Sequence, residues 1–401
     1  MFGALLARSR ARRVPRAFGL DIASTAVKVV EVRDGDPRLI VTRCAIAPLP
    51  AASVAAGAIR DPEATAATIR EAVTAAGIAG REAVVGICGR ELIIRKIQIP
   101  EIPRGALKDA VRIEAEHAIP FAVDEVFLDF QITGEQNRLV DLTLVASKKA
   151  KVMEYHAVVS AAGFTLAVVD VDGFALGNQH ELTGEAADER VAVVDVGATT
   201  TKVAVAGGGF THLVRDIPLG GNRCTQALAE RLGIPFERAE AVKIGGASAP
   251  DHRAPKEVCD GISRELGREI QRALDYHAES DVTAPPVARV SLVGGGAALA
   301  GLEATLASML GLPVAAADPF AALHVDPTCA DVVARAGPRL ALALGLSLRR
   351  SGDAPGPSRR PPGDPSKPSR GQVDGAQGPT PRTSDGATAT TPGRRGDGTG
   401  S

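Results

Sequence analysis

One design occurs twice in this chain: an apolar strand, an aspartate, a turn of small residues and a second strand. The copies are FGLDIASTAVKVVEV from Phe18 and VAVVDVGATTTKVAVA from Val191. Turns built from Gly, Ala, Ser and Thr let backbone N–H groups and hydroxyls approach phosphate oxygens, because no bulky side chain blocks them. Asp21 and Asp195 end the first strand of each copy and can hold a hydrated divalent cation between the turns. One such hairpin is typical of a plain turn, whereas the pair favours a binding cleft between two halves.

A glycine triplet forms the third element of the pattern. SLVGGGAALAGLEATLASMLG, from Ser291, predicts a strand, three glycines and an amphipathic helix. The backbone of Gly294, Gly295 and Gly296 can pass close to a flat ligand such as adenosine, although simple packing of strand against helix is the alternative. In this order the three elements resemble the actin-like ATPase superfamily, which includes actin, FtsA, sugar kinases and heat-shock chaperones. The resemblance implies an α/β, ribonuclease H-like two-domain fold that binds ATP with Mg²⁺.

The composition argues against nucleic-acid binding. The 401 residues carry a formal net charge of −1, and only 3% are aromatic, with no Trp. A basic surface and stacking rings for nucleic acid are therefore not available. The five cysteines, Cys44, Cys88, Cys224, Cys259 and Cys329, are scattered without C-x-x-C spacing, which predicts free thiols in a reducing compartment. No run is long and apolar enough to span a bilayer, so the chain is not expected to be an integral membrane protein. With its free thiols, we expect it in the cytoplasm.

Both ends of the chain differ in composition from the middle. Residues 1–17 form an Arg-rich arm whose apolar part is too short for a signal peptide; a frayed arm and weak adhesion to anionic lipid both stay open. Residues 351–401 are rich in Pro, Gly, Ser and Thr and are predicted to be disordered, because they have too little apolar surface to bury. The last folded element is then a helix from Pro338 to Arg350.

The segment between the two hairpins predicts an additional α+β unit. A helix near 61–76 opens with Asp61, Pro62 and Glu63. Further elements follow in the order strand, strand, helix, strand, strand and helix, near 83–88, 91–99, 103–118, 126–133, 139–146 and 149–162.

This unit carries a more specific resemblance. The runs IIRKIQIP, EAEHAIPFAVDEVFLDFQI, LVASKKAKVMEYHAVVSAAGF and VVDVDGFAL closely resemble the PilM family of bacterial type IV pilus assembly, over roughly residues 18–350. PilM proteins are relatives of FtsA and share its insert, subdomain 1C. The resemblance assigns 18–80 and 163–187 to subdomain 1A and 81–162 to the 1C insert. The second domain is 188–350, with its own 2B insert at about 220–285.

The resemblance also implies a set of binding residues. Phosphate contacts fall on Asp21, Ser24, Thr25 and Lys28 in the first hairpin and on Asp195, Gly197, Thr199 and Thr200 in the second. Lys28 meets a phosphate as a point charge, with a surface lysine as the alternative. Gly294, Gly295 and Gly296, with Glu240 and Lys243, fall on the nucleoside side. Glu240 and Lys243 are one helical turn apart, so a simple ion pair stays open. Asn222 either contacts nucleotide or caps the following helix.

One residue departs from the family pattern. Ala23 stands where the family usually has Gly, and it would weaken phosphate binding if that turn required a positive φ.

No catalytic residue is assigned. Asp170, Asp172, Gln179 and His180 lie in the linking region, but we expect Asp172 to cap the helix that follows. The prediction is therefore an ATP-binding switch or scaffold with weak or no ATPase activity.

A metabolite kinase and a cell-division anchor are the two alternative functions. A metabolite kinase needs a second pocket with a base aimed at a hydroxyl, and the 1C-type insert takes the place of such a domain. An FtsA-like cell-division anchor needs a C-terminal amphipathic membrane helix, which the tail ending GRRGDGTGS lacks.

The family resemblance finally implies a partner. PilM proteins bind the short cytoplasmic N-terminal peptide of PilN, an inner-membrane protein, in a groove between subdomains 1A and 1C. We therefore expect residues 83–148 to contact an extended peptide, and the protein to reach the inner membrane through it. Contacts with the pilus assembly motor and platform, and self-association, stay open.

Overall fold

The computed structural model describes residues 17–35, 38–182, 189–280 and 285–349. The arm predicted at 1–17, except for its last residue, and the tail predicted at 351–401 lie outside these ranges, as does Arg350. No helix in the described ranges is long and apolar enough to cross a membrane.

The described residues form sixteen strands and ten α-helices. The strands are β1 (Phe18–Ile22), β2 (Ala26–Arg33), β3 (Ile40–Pro48), β4 (Val54–Ala55), β5 (Ala58–Ile59), β6 (Glu82–Ile87), β7 (Leu92–Pro100), β8 (Val126–Gln136), β9 (Leu139–Lys148), β10 (Thr165–Val171), β11 (Arg190–Val196), β12 (Thr201–Gly207), β13 (Phe210–Ile217), β14 (Val287–Val293), β15 (Val314–Ala316) and β16 (His324–Val325). The helices are α1 (Pro62–Ala76), α2 (Leu107–Ala118), α3 (Lys149–Ala161), α4 (Asp172–Glu181), α5 (Gly221–Leu232), α6 (Phe236–Lys243), α7 (Ala254–Ser280), α8 (Leu302–Leu310), α9 (Pro327–Ala336) and α10 (Ala341–Ser347).

Two large sheets repeat one topology. The first has the order β10-β6-β1-β2-β3-β16, and the second has the order β15-β14-β11-β12-β13. In each, three antiparallel strands come first in the chain, and two strands parallel to the first one follow. The duplicated sequence pattern therefore builds a duplicated fold. We call the parts around the two sheets the first and second domains.

Helices α4 and α10 lie in a core that includes residues from both sheets. Ala175 and Leu176 of α4 and Leu342 of α10 share one buried cluster with Val84 of the first sheet and Val193 of the second. All seven residues of α10 are buried, which explains why this helix is apolar all round. The predicted helix from Pro338 begins instead as a 3₁₀ turn, Gly337–Leu340, before α10.

The end of the described chain returns to the first domain. Strand β16 pairs with β3, and Phe320 and Leu323 pack against Val30 and Val41 of the first sheet. We expected the second domain to extend to residue 350. The packing corrects this boundary, because Phe320, Leu323 and Cys329 are buried against the first sheet.

The insert is smaller than the sequence indicated. Strands β7, β9 and β8 form a separate antiparallel sheet, and α2 shares its core. The β8–β9 turn places Asn137 and Arg138 at φ values of 54° and 61°, as a tight hairpin requires. We expected the insert to begin at residue 81 and end at 162. However, β6 pairs with β1 in the first sheet, and α3 buries Tyr155 and Val159 in the first domain's core.

Local signals explain the elements that the sequence predicted well. Helix α1 begins after Asp61, whose carboxylate accepts a 2.9 Å hydrogen bond from the N–H of Ala64, with Pro62 in the first turn. It ends at Gly77, where φ is 68°.

The five cysteines are free, as predicted.

Candidate functional site

A cavity of about 570 Å³ lies where the two duplicated hairpins meet. The hydroxyl of Thr199 donates a 3.1 Å hydrogen bond to the hydroxyl of Ser24, so the two turn tips are in direct contact. Thirteen of the fourteen predicted binding residues line this cavity. They are Asp21, Ser24, Thr25, Lys28, Asp195, Gly197, Thr199, Thr200, Asn222, Glu240, Lys243, Gly295 and Gly296.

The first hairpin carries its own ion pair. Asp21 at the end of β1 lies opposite Lys28 of β2, and Lys28 Nζ is 2.7 Å from Asp21 Oδ2. The N–H of Ala23 donates a 3.0 Å hydrogen bond to the carbonyl of Ala26, which closes the turn. Ala23 is not among the described non-glycine residues with positive φ. The turn therefore has no left-handed residue at this position, and the methyl group of Ala23 causes no backbone strain.

The second hairpin has the same register but a different ion pair. Asp195 of β11 lies opposite Lys202 of β12, and the N–H of Gly197 donates a 3.1 Å hydrogen bond to the carbonyl of Thr200. Lys202 Nζ lies 3.6 Å from Asp172 Oδ2, at the start of α4. Lys202 also lines the cavity, although it is not among the residues predicted from the sequence. The signal was present, because a lysine stands seven positions after the aspartate in both hairpins.

Gly294 lies behind Asp195 and does not line the cavity. Its φ is 86°, and a Cβ atom at this position would lie 2.2 Å from Asp195 Oδ1. Its N–H donates a 2.8 Å hydrogen bond to the carbonyl of Pro338. The absence of a side chain at Gly294 thus leaves space for the Asp195 carboxylate, whereas Gly295 and Gly296 line the cavity itself.

Asp172 is the linking-region residue that reaches the cavity. The prediction that it caps α4 is wrong, because it is the first residue of that helix and no side chain caps this end. Burial raises the pKa of its carboxyl to about 7; Lys202 opposes that rise, whereas the charges of Asp21 and Asp216 add to it. The other three candidates do not line the cavity; Asp170, for example, forms a buried 3.0 Å ion pair with Arg349.

The opposite wall of the cavity combines an ion pair with apolar side chains. Lys243 Nζ lies 2.7 Å from Glu240 Oε2 and donates a 3.2 Å hydrogen bond to the carbonyl of Gly221. The simple ion pair considered as an alternative therefore exists, and it is part of the lining. Phe236 and Ile244 of the same segment also line the cavity, and both are partly exposed. This wall can contact a flat apolar ring while the ion pair offers polar groups.

Asn222 does not cap α5. The cap position belongs to Gly220, and no side chain bonds to this end of the helix. The N–H of Asn222 donates a 2.7 Å hydrogen bond to the carbonyl of Ala198 in the second hairpin. Asn222 lines the cavity, so contact with a nucleotide stays a prediction for this residue.

The carboxylates fit a cation that is shared with a ligand. In the described ranges no three His, Cys, Asp or Glu side chains converge as a metal-binding group. Mg²⁺ commonly keeps several waters and uses one or two carboxylates together with phosphate oxygens. Asp21 and Asp195, near small-residue turns that carry hydroxyl groups, fit that kind of coordination better than a closed protein cage.

Two domains with matching five-stranded cores, and a cleft between paired Asp hairpins, define an actin-like ATPase fold. The sequence places the chain more narrowly within that class. The chain belongs to the type IV pilus assembly protein PilM family, whose model matches residues 19–351.

Comparisons with individual proteins agree with this assignment. The solved structure of a PilM-PilN type IV pilus biogenesis complex is 30% identical, covers 84% of this chain and 98% of its own, and has a TM-score of 0.72. Cell division protein FtsA of Neisseria meningitidis serogroup B (strain ATCC BAA-335 / MC58) is 25% identical over 288 residues, which is 63% of this chain and 67% of FtsA. Ethanolamine utilization protein EutJ of Carboxydothermus hydrogenoformans, 20% identical with a TM-score of 0.51 over 84% of this chain and 90% of its own, shares the fold.

Proposed function

We propose that this protein is a nucleotide-dependent scaffold or switch of type IV pilus assembly that binds ATP with Mg²⁺ in the hairpin cavity. One observation carries the proposal: the hydroxyls of Ser24 and Thr199 meet at 3.1 Å, which brings two small-residue turns and their aspartates to one cavity. Small-residue turns are suited to phosphate groups, because their N–H groups and hydroxyls can approach the oxygens directly.

Different residues of the cavity lining would contact the phosphates, the Mg²⁺ ion, the ribose and the base of ATP. The two turns and Lys28 would hold the phosphates, and Asp21 and Asp195 would hold Mg²⁺ through water. Bound Mg²⁺ supplies positive charge that offsets the phosphates. Glu240 and Lys243 would meet the ribose, and Gly295 and Gly296 would let the backbone approach the base. The role that we propose is binding, with weak or no hydrolysis.

Calorimetry tests the nucleotide proposal directly. We expect the purified protein to bind ATP in the presence of Mg²⁺ and to bind it much more weakly after EDTA treatment. A matched variant pair separates the cavity from the rest of the surface: Thr199→Val removes a hydroxyl from the turn, and Thr133→Val removes one from the insert. Absence of ATP binding by the folded wild-type protein would contradict the proposal.

We propose that the partner is the cytoplasmic N-terminal peptide of a PilN-like inner-membrane protein. Membership in the PilM family and the 30% identity to a protein solved as a PilM-PilN complex support this partner. The localisation that follows is the inner membrane, reached through the partner.

A surface at the junction between the insert and the first domain is suited to such a peptide. Strand β8 is an edge of the insert sheet, so one side of its backbone can pair with an extended chain. Phe127 on this strand is 48% exposed and lies 5.8 Å from Lys149 Nζ of α3. Met153, which is 51% exposed, follows Lys149 by four residues on the same helix face. Phe127 on the insert and Met153 on the first domain thus provide one exposed apolar side chain on each side of the junction between the two parts.

Two aromatic substitutions of equal chemistry test this surface. Phe127→Glu should weaken capture of a synthetic PilN N-terminal peptide by about tenfold, since it places a charge where an apolar group is buried on binding. Tyr276→Glu, at a 60% exposed residue of α7 in the second domain, is the control and should have no effect. Equal peptide affinity for wild type and Phe127→Glu would place the groove elsewhere.

Vesicle flotation tests the proposed route to the membrane. The purified protein should float poorly with anionic vesicles and should float with vesicles that carry the PilN peptide. Strong flotation without the peptide, lost when residues 1–16 are removed, would instead make the basic arm an anchor.

A further inference from the structure

Lys202 is a charged residue of the cavity lining that has no role in the proposed function so far. It occupies the same register position in the second hairpin that Lys28 occupies in the first, opposite the aspartate that ends the preceding strand. Both lysine side chains are largely buried, with 13% exposure for Lys202 and 15% for Lys28, and both line the cavity. The two hairpins therefore present one lysine each to the same space.

The bonding of the two ammonium groups differs. Lys28 Nζ donates a 2.7 Å hydrogen bond to Asp21. Lys202 Nζ lies 3.6 Å from Asp172 Oδ2, which is an ion pair beyond hydrogen-bonding distance. Within the described ranges Lys202 forms no shorter polar contact. An ammonium group has three donor hydrogens, so Lys202 can stay beside Asp172 and still donate to another anion.

The surrounding charges hold Lys202 in its charged form. Burial lowers the pKa of the Lys202 ammonium, but the charges of Asp172, Asp195 and Asp21 outweigh this effect and raise the pKa well above its ordinary value. Three carboxylates thus face a cavity that a polyphosphate would enter. A polyphosphate is repelled by such a wall unless cations on the wall offset the carboxylates.

We propose that Lys202 is a second phosphate-binding lysine, which donates to the polyphosphate of a nucleotide from the second hairpin, as Lys28 does from the first. The inference rests on the proposed nucleotide function and deepens it. The chemistry recognised is a chain of phosphates, and the adenosine part of the ligand does not contribute to it.

Substitutions at Lys202 test the proposal by comparing two probes, ATP and adenosine. Lys202→Met should lower the affinity for ATP with Mg²⁺ by about tenfold, because a charge-assisted hydrogen bond is lost, and should leave the affinity for adenosine unchanged. Lys202→Arg should retain most of the ATP affinity. Lys256→Met, which removes an exposed lysine paired with Asp260 on α7, is the control and should bind both probes as wild type does.

Loss of Lys202 also leaves the buried Asp172 carboxylate without its partner, so folding has to be controlled. The double variant Lys202→Met with Asp172→Asn removes both charges and should melt close to wild type while still binding ATP weakly. Inorganic tripolyphosphate, used as a competitor, should displace ATP from wild type and should compete less well in the folded double variant.

The outcomes separate this inference from the proposed function. If wild type fails to bind ATP, the nucleotide proposal itself is wrong. If wild type binds ATP and the folded double variant binds it equally well, only the role of Lys202 is overturned. Equal losses for ATP and adenosine would also overturn that role, because they would show general damage to the cavity.

Discussion

The two Asp hairpins have the same backbone and different electrostatics. In each, the aspartate lies opposite a lysine of the neighbouring strand, and one backbone hydrogen bond closes the turn, of 3.0 Å at Ala23 and 3.1 Å at Gly197. In the first hairpin Lys28 binds Asp21 directly, whereas in the second Lys202 lies beside Asp172 from another element.

The difference comes from what packs beside each hairpin. Helix α4 begins next to β12 and brings Asp172 to Lys202, while Gly294 makes room beside Asp195. Lys202 therefore forms its ion pair with Asp172 and not with the aspartate of its own hairpin. Hairpins with equal local sequence can therefore differ in their ion pairs, since Asp21 is paired within its own hairpin and Asp195 is not.

The largest expected effect separates the two aspartates. Asp195→Asn should weaken binding of ATP with Mg²⁺ by at least about 100-fold, near 3 kcal/mol, since Asp195 has no lysine of its own hairpin as partner. Asp21→Asn should cost about tenfold, because Lys28 gains freedom to contact phosphate as Asp21 loses its charge. Calorimetry with both variants measures the ratio. Equal losses would mean that the hairpins are electrostatically equivalent.

The next largest effect is expected on stability, when the space that Gly294 leaves beside Asp195 is filled. Gly294→Ala should destabilise the fold by about 2 kcal/mol, because alanine is strained at this positive φ and its methyl group would meet the Asp195 carboxylate. Gly295→Ala is the matched control, since a Cβ there meets only Arg339 at ordinary contact distance. Urea unfolding of the two variants should give clearly different midpoints. Similar midpoints would remove Gly294 as the cause of the asymmetry.

The pH dependence of ATP binding probes Asp172. Its pKa of about 7 means that the carboxyl is mostly neutral at pH 6 and mostly anionic at pH 8, where it repels phosphates and holds Lys202. ATP affinity should therefore fall as the pH rises from 6 to 8, by about 1 kcal/mol. Lys202, Asp21, Asp216 and the buried Cys88 thiol face this carboxyl.

The Asp172→Asn variant is the reference for that measurement. Titration of ATP itself is common to both proteins, so the ratio of wild-type to variant affinity isolates Asp172. A ratio that stays constant between pH 6 and pH 8 would rule out titration of this carboxyl in the range.

The smallest effect is expected at the turn residue in which the hairpins differ. Ala23→Gly should lower the free energy of unfolding by about 0.5 kcal/mol, because glycine has more freedom in the unfolded chain. ATP affinity should stay within about twofold, since the turn needs no positive φ at this position. The reciprocal Gly197→Ala places a methyl group 2.7 Å from the carbonyl of Thr200 and must cost more. A gain in ATP affinity for Ala23→Gly would show that the methyl group hinders phosphate binding.

Local patterns in the sequence determined much of this protein. The paired hairpins, helix α1 with its Asp61 cap, and the strands and helices of the insert could all be predicted, because turns, caps and apolar periodicity act over a few neighbouring residues. The duplicated hairpins and the glycine triplet, together with the family resemblance that they carry, also predicted thirteen residues that line the cavity.

Contacts between distant residues were decided only in the tertiary structure. The sequence did not reveal that β6 and α3 belong to the first domain, or that β16 and α10 return to it, because strand pairing and helix packing join segments far apart in the chain. It did not pair Lys202 with Asp172, since the spacing within each hairpin is the same. The physical reason is that an ion pair forms with the carboxylate that packing brings within reach, and that neighbour comes from helix α4.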